Sequence, residues 1–143
     1  MQRARSEIVA AAAELIAESG LAAVTMAGAA RTAGVAKATV YNHVRDRGEL
    51  LSAVLTDQWA ALQRACADQP PEQRLSTAAA WVSESPVLDG LRRNDPDVLV
   101  AISSAALRDP QVLEVVSGWI PDGRDPQAAL RWLVSFAICP AEA

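Results

Sequence analysis

Residues 25–44 read TMAGAARTAGVAKATVYNHV, a stretch with the pattern of two short helices joined by a tight turn. Thr25 is a favourable N-cap for a helix over residues 26–33, and Gly34 ends this helix because glycine readily adopts left-handed backbone. A second helix is predicted over about residues 37–44. The arrangement predicts a helix-turn-helix motif.

The second helix of this motif has an apolar side and an outward side. At about 100° per residue, Val40 and Val44 fall on the same side and are expected to face the core together with Val35. Small or polar residues occupy the outward side, namely Ala38, Asn42 and Arg45, flanked by Thr39 and Tyr41, with Lys37 and His43 at the margins. Such a face suits the major groove of DNA, and it also suits an ordinary solvated surface.

The flanking sequence predicts one further helix on each side of the motif. Upstream, an apolar stripe at helical spacing ends at Gly20, a position typical of a glycine that closes a helix. The stripe consists of Ile8, Ala12, Leu15 and Ile16. Downstream, Asp46 and Glu49 have the spacing of a capping box, which predicts a long helix from Arg47 to residue 66 or beyond.

The rest of the chain is punctuated by proline and shows no strand pattern. Pro70-Pro71 marks a break, and three Asp-Pro pairs each place a capping aspartate before a proline at the first helical position. The pairs lie at 95–96, 109–110 and 125–126, and the predicted helices cover about 72–84, 87–93, 96–107, 110–119 and 126–138. These segments and the N-terminal ones predict an all-α fold of about nine helices.

Composition excludes several classes of protein. The 143 residues are 51% apolar and 21% charged, with a mean hydropathy of +0.11, which is typical of a soluble globular chain. No apolar run approaches the roughly 18 residues of a membrane span, and the first residues do not form a secretory signal. Cys66 and Cys139 have no metal or redox spacing, so we expect reduced thiols and a cytoplasmic location. No catalytic motif, metal-ligand cluster or cofactor loop occurs, so we expect no enzyme, no metal and no cofactor.

Charge is distributed unevenly along the chain, whose net charge is −4. Residues 1–50 carry six basic and five acidic side chains, whereas residues 51–143 carry seven and twelve. Between Arg31 and Arg47, four basic residues are opposed only by Asp46. A small basic face on an acidic body fits a site-specific DNA binder, although a solvated helix surface is the plainer interpretation.

The segment from Thr25 to Leu51 resembles the DNA-binding domain of TetR/AcrR-type transcriptional regulators, and the match has no gaps over residues 8–55. The matching features are Thr25, Ala30, Ala33-Gly34-Val35, Thr39-Val40-Tyr41, His43-Val44, Arg47 and Leu50-Leu51. The resemblance implies that four residues approach base edges or neighbouring phosphates: Lys37, Ala38, Thr39 and Asn42. It implies contacts with the phosphate backbone for Thr25, Tyr41, His43 and Arg47. Hydroxyls, helix N-termini and cations hold phosphates in this way without reading the sequence.

Four positions depart from the family pattern. Gly28 and Ala29 stand where larger residues are usual, so we expect thinner packing beneath the second helix of the motif. Ala36 replaces a frequent serine cap, and Val44 stands where phenylalanine is common. The helical glycine and the missing cap each cost about 1 kcal/mol. The domain is therefore expected to be loose and to become ordered on DNA.

The second half resembles the effector-binding and dimerisation domain of the same family. The resemblance divides the chain into a helix-turn-helix domain at 1–46 and a helical domain at 47–143. Trp81, Trp59 and Trp119 are candidate ligand-binding residues, because aromatic side chains commonly line apolar pockets. We expect Trp81 and the helix at 96–107 to line the pocket for an unknown apolar effector.

The dimer seam is expected on the helices near 110–120 and 126–138. In the branch that residues 126–138 resemble, a further helix follows and pairs across the dimer. Because the sequence stops at Ala143, the C-terminal domain is expected to be shortened: either the dimer interface is reduced or the sequence is incomplete. Arg131 is the one charge on the 126–138 helix, and it marks either a solvated face or a polar anchor of the pocket.

Together these features predict a ligand-responsive repressor that binds a palindromic operator in double-stranded DNA as a homodimer, away from membranes. Each recognition helix would enter one half-site, and the effector would shift the population towards a state that releases DNA. The alternative is a small-molecule-binding or adaptor protein of the same fold that has lost operator binding. Gly28, Ala29 and the missing terminal helix favour that alternative.

Overall fold

The computed structural model describes residues 2–121 and 123–140 of the chain. Regular secondary structure in these residues is entirely helical, with nine α-helices, one 3₁₀ turn at Leu21–Ala23 and no strand. The helices are α1 (Gln2–Ser19), α2 (Met26–Ala33), α3 (Lys37–His43), α4 (Arg47–Ala67), α5 (Pro71–Glu84), α6 (Pro86–Asn94), α7 (Pro96–Ala106), α8 (Pro110–Ser117) and α9 (Pro126–Ile138). The predicted all-α fold with an N-terminal helix-turn-helix is confirmed.

The helix bounds follow the predicted ones closely, because most helix ends here have local signals. α2 and α9 have the predicted bounds, and α3 ends one residue early because Val44 adopts extended backbone. α6 begins at Pro86, since the Ser85 hydroxyl accepts a hydrogen bond from the Leu88 N–H at 3.3 Å. The 3₁₀ turn was not predicted, and it follows Gly20, whose φ of 83° turns the chain out of α1.

The three Asp-Pro pairs all begin helices, but only two of the three aspartate side chains cap the helix that follows. Asp109 and Asp125 accept hydrogen bonds from the N–H groups of Gln111 and Gln127, at 2.8 and 2.9 Å, as predicted for caps. Capping by the Asp95 side chain was a wrong prediction. Its Oδ2 instead accepts the Leu21 N–H at 2.8 Å, because the end of α6 lies against the 3₁₀ turn.

One hydrophobic core runs from the N-terminal helices into the C-terminal ones. α1 packs against α2, α4 and α6, while α5 and α9 pack together further along the chain. Ile8, Ala12 and Ile16 are buried as predicted, and Leu15 is partly buried. The two predicted domains therefore share a packed boundary, with α1 at its centre.

The crossing of α6 over α1 is close because α6 has a glycine there. A Cβ at Gly90 would overlap the backbone carbonyl of Ile16, so a larger residue would force the two helices apart. Arg93 Nη2 donates to the Ala17 carbonyl at 2.9 Å in the last turn of α1. On the other side of α6, Arg92 Nε donates to the Ala137 carbonyl at 3.0 Å in α9. α6 thus connects the end of α1 with the end of α9.

Candidate nucleic-acid interface and effector cavity

The turn between α2 and α3 is fixed by local hydrogen bonds. The Thr25 hydroxyl accepts the Gly28 N–H at 2.9 Å, which confirms Thr25 as the N-cap of α2. Gly34 has a φ of 70°, a conformation that favours glycine, and the Val35 N–H then donates to the Ala30 carbonyl at 3.0 Å. This ending directs the chain into α3 with a defined angle.

The small residues of α2 fit a tight site, so the expected thin packing is wrong at Gly28. A Cβ there would lie 2.9 Å from the Thr25 hydroxyl oxygen and 3.1 Å from the Ala23 carbonyl oxygen. Ala29 is fully buried. A larger side chain at Gly28 would displace the capping hydroxyl, so this departure from the family pattern accompanies a close approach of the backbone.

α3 has the two faces predicted from its periodicity. Val40 and Val44 are 0% and 2% exposed, and Val35 packs partly buried against the same core. The exposed residues of this segment are Lys37, Ala38, Tyr41, Asn42 and Arg45, and Tyr41 retains half of its surface exposed. Thr39 and His43, predicted at the flank and the margin of the outward side, are half-buried at the edge of the exposed face.

Arg47 lies at the start of α4, but its guanidinium is directed to the 3₁₀ turn. Its Nε donates to the Val24 carbonyl and its Nη2 to the Leu21 carbonyl, both at 2.6 Å. These bonds fasten α4 to the segment that leads into α2. The structure thus brings Arg47 to backbone carbonyls. Of the other predicted DNA-contact residues, Thr25 is the N-cap of α2 and the remaining six lie on α3. The sequence contains no signal for this arrangement, because the acceptors are 23 and 26 positions away.

The corner before α4 carries the predicted capping box in a shifted form. Asp46 Oδ1 accepts the Glu49 N–H at 2.8 Å, as predicted. Glu49 Oε2 reaches one residue further back than expected and accepts the backbone N–H of Arg45 at 2.8 Å. It also accepts from Arg45 Nε at 3.1 Å. The pKa of Glu49 is lowered mainly by the hydrogen bond from the Arg45 backbone N–H and also by the one from the Arg45 side chain. The side-chain hydrogen bond to Glu49 in turn raises the pKa of Arg45.

The exposed face of α3 can therefore offer hydrogen bonds and positive charge to a polyanion. Lys37 begins the helix, Asn42 provides an amide, and Tyr41 provides a hydroxyl on an exposed ring. Arg31 on α2 is also exposed. Amides read base edges, whereas cations and hydroxyls hold phosphates, so the face combines both kinds of group.

A second feature lies among the C-terminal helices, which line a partly open cavity of about 140 Å³. Every helix from α4 to α9 contributes to its wall, and α7 contributes Leu99, Ile102, Ser103 and Ala106. Trp59 and Trp119 line it, with ring centroids 6.1 Å apart. Trp81 is not part of this lining among the described residues. It lies instead on a more open groove, which Trp59 and the α7 residues Ile102 and Ala106 also line, so the predicted combination of Trp81 with the helix at 96–107 occurs there.

Two kinds of feature are absent from the described residues. Within 2–121 and 123–140, no helix is long and apolar enough to cross a membrane. The same residues contain no group of three or more His, Cys, Asp or Glu side chains placed to hold a metal ion.

Comparison with known proteins identifies the N-terminal region. Residues 8–54 match the family model described as bacterial regulatory proteins, tetR family. Among solved structures, the chain is similar to a TetR family protein from Vibrio parahaemolyticus, with 22% identity and a TM-score of 0.49 over 97% of this chain and 88% of that one. No curated protein matches the chain. Through its helix-turn-helix and this family match, the chain carries the DNA-binding domain of the tetR family of bacterial transcription regulators.

Proposed function

We propose that this protein is a ligand-responsive transcriptional repressor that binds a near-palindromic operator as a homodimer. Residues 1–46 form the DNA-binding head, and residues 47–143 form the body that binds the effector and the second protomer. The observation that carries the proposal is that α3 and the residue after it have a buried side and an exposed side. Val40 and Val44 are buried, while polar residues such as Lys37 and Asn42 face solvent. A helix held in this way presents side chains to the major groove.

The contacts with DNA are assigned from position and chemistry. Asn42, Thr39, Ala38 and Lys37 would reach base edges or the phosphates beside them, and Tyr41, His43 and Thr25 would bind the phosphate backbone. Thr25 can still donate its hydroxyl proton, because in the cap its oxygen accepts. Arg47 retains donors beyond the two that bind carbonyls, so a phosphate contact and its structural contacts are compatible.

The second protomer would pack on α8 and α9. α9 leaves Trp132 44% exposed and Ile138 45% exposed. Trp132 packs edge-to-face on Phe136 with ring centroids 4.8 Å apart, so a stable aromatic surface faces outward. Arg131 is exposed on the same helix, which supports the solvated-face interpretation of that residue.

Head and body are coupled at one residue of the 3₁₀ turn, Leu21. The Leu21 N–H donates to Asp95 at the end of α6, and the Leu21 carbonyl accepts from Arg47 at the start of α4. Both helices also line the effector cavity, through Leu88 in α6 and through Trp59 and Leu62 in α4. An effector that moves either helix would therefore displace the turn that precedes the N-cap of α2.

Selection of binding sites from random duplex DNA, followed by affinity measurements at several salt concentrations, tests the DNA-binding part. A site-specific dimer should enrich a sequence with two related half-sites, centred about one helical turn or a multiple of it apart. Its affinity for the enriched site should exceed that for random DNA by at least about 10³ at equal salt. Equal affinity for both would favour the alternative, a small-molecule-binding or adaptor protein that has lost operator binding.

A further inference from the structure

The walls of the effector cavity restrict what it can hold. Among the described residues that line it, the Ser103 hydroxyl and the indole N–H groups of Trp59 and Trp119 are the polar side-chain groups, and the other lining residues are aliphatic. None of these lining residues carries a charge. Ser103 itself is 6% exposed and lies on the inner side of α7.

We propose that the effector is a small neutral aromatic molecule with one hydroxyl group, of about the size of phenol, and that this hydroxyl binds Ser103. The inference rests on the proposed function for the regulatory effect, and on the cavity alone for the binding. An engineered cavity of about 150 Å³ with apolar walls holds benzene, so a cavity of about 140 Å³ admits one six-membered ring.

Charge excludes the corresponding acids and amines. An ionised carboxylate or ammonium against these apolar walls would lose part of its hydration and meet no opposite charge, which is unfavourable. A hydroxyl can donate to the Ser103 oxygen or accept from the Ser103 proton, because both groups have a donor and acceptors. The tilted pair of Trp59 and Trp119, at 45° between ring planes, offers ring faces and edges to an aromatic guest.

One side chain, Ile102, connects the effector cavity with residues of the head. Ile102 lines the effector cavity and also a separate apolar cavity of about 200 Å³ between the head and the body. Ile16 and Leu21 of the head line that second cavity. A ring bound beside Ser103 touches the neighbouring Ile102, which can move into the second cavity and press on the segment before α2.

Isothermal titration calorimetry on the full chain without DNA tests the ligand class, with phenol, benzene and benzoate as probes at pH 7. Phenol should bind more tightly than benzene, and benzoate should not bind. Ser103→Ala should weaken phenol binding about fivefold and leave benzene binding unchanged, since only phenol loses a hydrogen bond. Ser104→Ala, on the same helix but outside the cavity lining, is the matched control and should change neither affinity.

Three results would overturn the assignment: benzoate binding as tightly as phenol, no binding of either neutral probe, or an unchanged phenol-to-benzene ratio in Ser103→Ala. A cooperative thermal unfolding transition, monitored by circular dichroism, confirms that each variant is folded. Release of operator DNA is measured separately. Phenol that binds through Ser103 without releasing DNA would leave the ligand class intact and contradict the proposed regulation.

Discussion

Lys37 and Asn42 are both exposed on α3 but carry groups with different uses on DNA. Lys37→Ala should weaken binding to operator and random DNA alike and reduce the slope of log affinity against log salt by about 0.9, because one phosphate contact is lost. Asn42→Ala should mainly lower the preference for operator, by about 1–3 kcal/mol. Fluorescence anisotropy with both DNAs separates the effects. Equal losses for Asn42→Ala on both DNAs would reduce it to a positioning residue.

The two cysteines differ in accessibility. Cys66 is fully buried, its Sγ lies 3.5 Å from the Arg74 carbonyl oxygen, and burial raises the pKa of its thiol. Cys139 is exposed at the end of α9. Because the thiolate is the reactive form, iodoacetamide at neutral pH should modify Cys139 alone in the folded protein and both cysteines in denaturant. Mass spectrometry of the products decides this, and rapid labelling of Cys66 in the native protein would contradict its packing.

At the scale of elements, the crossing of α1 and α6 depends on one glycine. Gly90→Ala should lower the free energy of unfolding by about 1–3 kcal/mol, because the added methyl overlaps the Ile16 carbonyl. Gly118→Ala is the control: Gly118 has a helical φ of −72°, and the added methyl would be in ordinary contact with its neighbours. Urea unfolding measures both. A Gly90→Ala variant as stable as the control would show that the crossing has more room than described here.

The corner before α4 should give stability a dependence on pH. Hydrogen bonds from Arg45 hold the pKa of Glu49 below its ordinary value of 4.5, so the folded state binds this proton less readily than the unfolded state. The contribution is complete above the unfolded-state pKa and is lost as pH falls through the lowered folded-state pKa. The stability difference between the natural protein and Glu49→Gln should therefore be largest near neutral pH and shrink on acidification. Urea unfolding over about pH 6 to 3 measures it; a constant difference would contradict the argument.

The contrast between predicted and observed elements follows from the range of the forces involved. Thr25, Gly34 and the prolines act on their own neighbours, so the sequence predicts the bounds of α2 and the starts of the later helices. Asp95 binds a backbone N–H 74 positions away, and Arg47 binds carbonyls more than 20 positions away. Those partners depend on how the helices cross, and local sequence patterns contain no signal for such long-range contacts. Equally, the sequence identified Trp81, Trp59 and Trp119 as candidate pocket residues, but it contains no signal that Trp59 and Trp119 line one cavity while Trp81 lies on a separate groove.

For the whole molecule, the exposed aromatic surface of α9 is the feature that tests the proposed homodimer. Trp132→Glu should place a charge in the seam and convert the protein to a monomer at micromolar concentration, with loss of operator affinity. Val100→Glu alters a residue of α7 that is 48% exposed and should leave the dimer intact. Sedimentation velocity distinguishes the two species. A natural protein that sediments as a monomer even with operator DNA would contradict the two-headed mechanism.

The backbone N–H of Leu21 offers a way to observe how the end of α6 moves against the 3₁₀ turn. Its amide proton is held by the Asp95 carboxylate, and it becomes available to solvent deuterium when the end of α6 separates from the turn. The exchange rate of this single proton therefore reports how often head and body come apart. Any ligand that loosens this junction should speed the exchange, so the exchange of one amide resonance would follow the proposed regulatory movement in the absence of DNA.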